Sequence, residues 1–420
     1  MDLFSVFEEW NIYAKQQKLH PRDIDFSSII RNSKIKIPAI TGIRRSGKTS
    51  LLMLLTQQLA NRKENVAYIN MEDNRLKNQG NVFENIIKWF GDEGYLLLDE
   101  ITSIQGWEGW LARTHELLKG KVHIIVSSSR KSLSQPSKPL RGRIVSYELY
   151  PLSFREYLDF QNIKIQPTTA GIGKRQKAFK KFQKYGGFPE VALTENNTDK
   201  IRILNAYFND IIALDVAEMS HMDISVVETF ARYVLQSPYF SASKCLNFFK
   251  SMGFKIGKEK LLNLEKYMQS AYLFFFIPIF SYSIKDRAQY PRKSYVGDTG
   301  FFYGIQGLED KGRVFENIVF LELKRQLTGQ QEICYWKNKE GMETDFVVRQ
   351  GSNIKKVIQV SSKLDQEDTL KREISGMVAC AKELDVDDGL IITENDEKTE
   401  IVDGIKVIFK PFMKWLKQKE

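Results

Sequence analysis

Residues 42–49 read Gly-Ile-Arg-Arg-Ser-Gly-Lys-Thr. Two glycines, a lysine and a hydroxyl at this spacing suit a chain of phosphates. Glycines let the backbone curl so that successive N–H groups point inward at phosphate oxygens. The cradle would be Gly42, Ile43, Arg44, Arg45, Ser46, Gly47, Lys48, Thr49 and Ser50. Lys48 would reach the β- and γ-phosphates of ATP, and the Thr49 hydroxyl would hold Mg²⁺. A second signal lies at 95–100, Tyr-Leu-Leu-Leu-Asp-Glu, an apolar run ending in two carboxylates. Asp99 at the tip of such a strand is placed to hold Mg²⁺. Glu100 beside it is placed to polarise the attacking water as a general base. Ser127 or Ser128, at the end of the apolar run 122–126, would bring a hydroxyl to the γ-phosphate.

These residues need a scaffold that holds them at one edge. The alternation of runs supplies it: strands at 35–41, 66–71, 95–99 and 122–129, with helices at 50–60, 81–90 and 107–118. This βαβ rhythm predicts a parallel sheet covered by helices, an α/β P-loop fold over 35–160. The loop at 42 then sits between a strand and a helix, whose positive N-terminus faces the anion. Residues 1–34 read as an amphipathic helical segment broken at Pro21. After the core, 140–158 carries Arg141 and Arg143 on a loop before a short strand, either of which would suit transition-state charge on a neighbouring subunit.

Several phrases together resemble a known family. They are GIRRSGKTSLL, LLLDEI followed by WEGWL, LYPLSFREYL, and YGGFPE at 185–190. Further on come YVGDTG at 295–300, GRVFENIVFLEL at 312–323, ICYWKNKEGMETDFVV at 333–348 and VIQV at 357–360. In this order, over nearly the whole chain, they resemble the archaeal and bacterial AAA+-type ATPases in which an AAA domain precedes a domain of unknown function with a nuclease-like fold. The resemblance implies that the 122–126 strand lies between the loop strand and the Asp-Glu strand. It also implies that Ser127 is the sensor hydroxyl, and that Arg143 rather than Arg141 is the arginine finger of a homo-oligomer.

Behind the core, 161–224 reads as a helical lid or linker, with Lys174, Arg175, Lys177, Lys180, Lys181 and Lys184 crowded together. Residues 225–297 show three helices (225–237, 241–252, 258–270) and then two strands (272–282, 293–297), the order of a winged helix. Between Tyr239 and Tyr295 there are ten Lys or Arg against three acids. Lys258 and Lys260 on the third helix, and Arg292 and Lys293 on the wing, are the expected DNA contacts. Residues 298–420 are expected to form a restriction-endonuclease-like α/β domain, with Glu316, Asp345 and Gln359 around a Mg²⁺ position. The lysine such a centre needs is replaced by Ser361, and Lys363, two residues on, shares its strand face. Little or no cleavage of DNA is therefore expected.

Composition narrows the rest. At 420 residues the chain has room for several domains, and its net charge of +10 favours an anionic partner beyond ATP, such as duplex or branched DNA. Three dispersed cysteines and four histidines, with no CxxC, predict no zinc site and a cytoplasmic setting. The start of the chain lacks the shape of a signal peptide, and the most apolar run, 272–280, is too short to span a bilayer. The expected activity is Mg²⁺-dependent ATP hydrolysis associated with DNA. The alternatives are a regulatory nucleotide switch acting on a protein partner, and an ATP-governed nuclease.

Overall fold

The computed structural model describes residues 2–77, 79–129, 133, 138–164, 166, 168–362 and 367–416. They divide into two compact units, one running to Leu152 and taking in 270–272, the other holding the remainder from Ser153.

The first unit is built on five strands: β1 (Ile37–Thr41), β2 (Val66–Asn70), β3 (Gly94–Asp99), β4 (Val122–Ser128) and β5 (Ile144–Glu148). All pair in parallel, in the order β2-β3-β4-β1-β5. The strand at 122–128 therefore lies between the loop strand and the Asp-Glu strand. β1 and β3 are buried along their whole length, as strands covered on both faces must be, and this is why they read as continuous apolar runs. Successive residues still face opposite ways. Leu96 and Leu98 pack with Val82, Phe83, Ile86, Trp110 and Leu111, whereas Tyr95 and Leu97 pack with Leu51, Leu52, Leu55 and Leu59. The helix Lys48–Asn61 thus covers one face; Val82–Phe90 and Trp107–Leu117 cover the other.

The N-terminal helices Leu3–Gln16 and Phe26–Ser33 are capped by Asp2 and Asp25, whose carboxylates accept from Phe4 N and Ser28 N. Val6 and Phe7 enter one core cluster and Ala14, Ile29 and Ile30 the other. The segment 1–34 is thus an integral part of this unit.

In the second unit, helix Thr169–Tyr185 carries the basic run. There follow helix Ile224–Gln236, β6 (Tyr239–Phe240), helices Ala242–Ser251 and Lys258–Ser270, β7 (Phe274–Ile277), a short helix Ile284–Gln289 and β8 (Arg292–Val296). The three strands form an antiparallel sheet in the order β6-β8-β7. Beyond helix Lys311–Gln326 come β9 (Gln331–Lys337), β10 (Glu343–Gln350), β11 (Asn353–Ser361), β12 (Asp388–Thr393), β13 (Lys398–Val402) and β14 (Ile405–Pro411). They make a mixed sheet, β13-β14-β12-β11-β10-β9, with helix Glu367–Glu383 against it. β10 and β11 form an antiparallel hairpin.

Candidate functional site

The loop after β1 bends in ways that its glycines permit. Gly42 passes so close to Leu149 that a Cβ would lie 2.0 Å from its carbonyl oxygen. Gly47 takes φ +98° and Arg45 takes φ 68°, both left-handed. Gly47 is also the N-cap of helix Lys48–Asn61 and offers no side chain to it. Its first N–H groups are therefore left for an external anion, unlike those of helices capped by Asp2, Asp25 or Ser153. The Ser46 hydroxyl is buried with no hydrogen-bond partner among the described residues. An uncapped helix start beneath a curled loop is the arrangement a nucleotide's phosphates fit, and Thr49 stands exposed on the first turn where Mg²⁺ would accompany them.

Lys48 is buried, and its Nζ donates to the carbonyls of Gly42 at 3.1 Å and Ile43 at 3.2 Å. The same nitrogen is 3.7 Å from Glu100 Oε1. Arg44 reaches Glu72 at 3.7 Å on the outer side of the loop.

The two carboxylates at the end of β3 have different surroundings. Asp99 is buried; the Tyr68 hydroxyl donates to its Oδ2 at 2.9 Å, and Ser127 donates to Oδ1. The Ser127 oxygen in turn accepts from Glu100 N at 3.0 Å. Ser127 is therefore a brace between the two acids, reached because β4 is the neighbour of β3. Glu100 leaves the strand in a left-handed conformation, φ 49°, which turns its side chain back over the loop. Its Oε2 accepts from Ser129 N at 3.0 Å. Burial raises the Glu100 carboxyl above its ordinary range, with Lys48 opposing and Asp99 adding to the rise. A carboxylate of raised basicity, held beside a lysine, is suited to taking a proton from water.

Two supporting residues escaped the sequence reading. Arg22, buried, donates to the carbonyls of Ser46 at 2.6 Å and Tyr150 at 2.9 Å, fixing the loop from beneath. Tyr68 holds Asp99, and burial with Asp99 alongside keeps its hydroxyl protonated. Arg143 lies at the far end of the sheet: its carbonyl accepts from Ile37 N, at the start of β1, and its guanidinium meets Pro139 O at 2.9 Å and Glu116 at 3.1 Å.

Downstream, the expected DNA contacts separate. Lys258 and Lys260 are exposed on the helix Lys258–Ser270. Lys293 is not available to phosphate, which corrects the expectation for it, whereas Arg292 keeps a quarter of its side chain exposed. Arg292 pairs with the largely buried Glu265 at 2.5 Å. Lys293 is buried and faces Glu316, Glu343 and Asp345. A charged strand residue opposite buried acids turns inward, because unpaired buried carboxylates would cost more than the lysine's desolvation. Glu316, Asp345 and Gln359 are brought together there, Asp345 N donating to Gln359 Oε1 at 3.0 Å. Lys363 lies outside the described residues. The substitution of Ser361 for the expected lysine was the signal that another cation had to answer these acids.

An AAA domain family matches residues 34–158. Two domains of unknown function match 176–312 (DUF8612) and 311–413 (DUF4143). The chain is 34% identical to the uncharacterized protein MJ1544 of Methanocaldococcus jannaschii, over 96% of this chain and 92% of that protein. It is 27% identical to an uncharacterized protein of Haemophilus influenzae, over 96% and 97%. Among solved structures, a signal transduction ATPase with a tetratricopeptide repeat sensor from Pyrococcus horikoshii gives a TM-score of 0.30 at 13% identity, over 74% of this chain and 47% of that one. No helix among the described residues is long and apolar enough to cross a membrane.

Proposed function

Since this chain belongs to the family of the Methanocaldococcus jannaschii protein and itself joins an AAA domain to domains of unknown function, we propose that it is a DNA-associated ATPase. ATP–Mg²⁺ binds at residues 42–50, with Thr49 and Asp99 holding the metal, Glu100 activating water and Ser127 aligning the two acids. The observation that carries this reading is the uncapped start of helix Lys48–Asn61, with Lys48 folded onto its own loop and Glu100 Oε1 3.7 Å away. Mg²⁺ would neutralise charge on the phosphates during transfer to water. The chain's own groups position that water and accept its proton.

DNA association is supported by the net charge of +10 and by exposed Lys258 and Lys260. It is supported too by a cleft of about 680 Å³ lined by Arg175, Lys180 and Lys184, the last paired with Glu309 at 3.0 Å. Cations track a phosphate backbone. We read residues 225–297 as a winged helix on the order of their elements.

The test is the steady-state ATPase rate of the pure protein, alone and with duplex, single-stranded and branched DNA. Stimulation by any of the three supports the reading; a finite rate indifferent to all of them removes DNA from it. A second reading, a slow nucleotide switch, is favoured by the Lys48–Glu100 pair, which ties up the base until nucleotide arrives. Tight ATP binding with very slow turnover would support that one instead.

A further inference from the structure

The Lys293 side chain, 4% exposed, is surrounded by three acids from two elements, β10 and the helix Lys311–Gln326. Its Nζ lies 2.7 Å from Asp345 Oδ1, 2.9 Å from Glu343 Oε1 and 3.0 Å from Glu316 Oε1. An ammonium has three N–H donors, and three carboxylates take them. The same carboxylates have further donors. Tyr295 OH meets Glu316 Oε1 at 2.6 Å, Tyr239 OH donates to Glu343, and Lys337 Nζ meets Glu343 Oε2 at 3.1 Å. Val360 N donates to Asp345 Oδ2 at 2.9 Å. The cluster opens on a cavity of about 510 Å³.

We infer that Lys293 is the resident cation of this carboxylate site, standing where Glu316, Glu343 and Asp345 would otherwise hold a divalent ion. The site as built takes no metal, and replacing Lys293 with a neutral side chain opens it to one. Three carboxylates around one point repel unless a cation sits among them. Oxygen-only donors select Mg²⁺, Mn²⁺ or Ca²⁺ over softer metals. Such an ion needs oxygens at about 2.0–2.6 Å, closer than they stand to the ammonium, so lysine and metal exclude each other. Among the described residues no group of three Asp, Glu, His or Cys is arranged to hold a metal, as expected if the lysine sets their spacing. The inference is independent of the ATPase reading.

The probe is Mn²⁺, followed by its electron paramagnetic resonance signal during titration of the full chain without nucleotide. The parent and Asp345→Asn should give the same isotherm, so that any weak uptake at the phosphate loop cancels. Lys293→Met should gain about one Mn²⁺ per chain, as an oxygen-donor site allows, and Lys293→Met/Asp345→Asn should lose it again. Parent binding that Asp345→Asn removes would overturn the inference, because the lysine would then give way to metal. A Lys293→Met protein that melts cooperatively yet gains no Mn²⁺ would overturn it equally. Should that variant not fold, Lys293→Gln serves in its place, and the comparison of parent with Asp345→Asn remains decisive by itself.

Discussion

Lys48 Nζ stands 3.7 Å from Glu100 Oε1, so the side chain that would meet phosphate and the one that would meet water are paired with each other. Nucleotide would draw Lys48 from the Gly42 and Ile43 carbonyls and loosen its hold on Glu100, linking binding to activation of the base. Lys48→Ala is expected to weaken ATP binding about 10- to 100-fold, the worth of a charge-assisted contact. Calorimetric titration with ATP–Mg²⁺ measures it, and an unchanged affinity would remove the phosphate role from the loop.

Glu100→Gln should keep ATP binding and lose turnover by about 10²- to 10⁴-fold, the usual share of a general base. The amide oxygen can still accept from Ser129 N, so the loop geometry survives. Burial raises the Glu100 carboxyl, so parent turnover should rise with pH through a midpoint above the ordinary carboxylate range. That acid limb should vanish from the residual rate of the variant. A variant as fast as the parent would put the base elsewhere.

Arg22→Met should lower both thermal stability and ATP affinity. The substitution strips two buried carbonyls, Ser46 O and Tyr150 O, of a charged donor, at a cost of about 1–3 kcal/mol for each group left unsatisfied. Ser46 belongs to the phosphate loop, so the loss is felt where ATP binds. A melting curve and a titration of the same sample decide the matter; lowered stability with parental affinity would make Arg22 a packing residue only.

What the sequence disclosed was local, and what it hid was distant. The loop at 42–49 and the Leu-Leu-Leu-Asp-Glu strand are each a few residues whose types answer one another, and the place of β4 between β1 and β3 followed from the family resemblance. Arg22 acts on Ser46, 24 residues on, and on Tyr150, 128 residues on; nothing around Arg22 announces either partner. Lys293 looked like a solvated wing residue because net charge counts signs and not neighbours, while its three acids, Glu316, Glu343 and Asp345, all lie further along the chain. Asp298 shows the same limit. The phrases YGGFPE and YVGDTG lie far apart in the chain, yet Asp298 accepts from Gly187 N and from Gly300 N, both at 2.8 Å, and joins them. Gly186 has no room for a side chain there, since a Cβ would stand 1.7 Å from Asp298 Oδ1.

Asp298 also predicts a pH dependence of stability. Burial pushes its carboxyl up to about 7, against the two amide donors that favour the charged form. A carboxyl raised above its unfolded value near 3.8 contributes stability that is full below that pH and lost as pH rises towards 7. Asp298→Asn does not titrate, so the fall in melting temperature between about pH 4 and 7 should be shallower than in the parent. Parallel curves for the two proteins across that window would show that Asp298 stays charged throughout.

Arg143 sits at the opposite end of the sheet from the phosphate loop. Its carbonyl accepts from Ile37 N at 2.8 Å, and Ile37 opens the strand whose other end, Thr41, leads into Gly42. Five strand residues span about 16 Å, so Arg143 is out of reach of the loop in its own chain. If it acts on ATP, it acts on the ATP of a neighbour, and its contacts with Glu116 and Pro139 hold it at the surface meanwhile. Arg143→Ala should then leave ATP affinity alone and lower turnover by up to about 10³-fold, the lower range for such a finger. The sharper experiment mixes two inactive proteins. Lys48→Ala keeps Arg143 but not the phosphate contact; Arg143→Ala keeps the phosphate contact but not the finger. Within a mixed assembly some sites would regain both, and ATPase activity should return above that of either protein alone. Mixtures that stay as inactive as their parts, in samples that sedimentation shows to be assembled, would rule out a finger shared between chains.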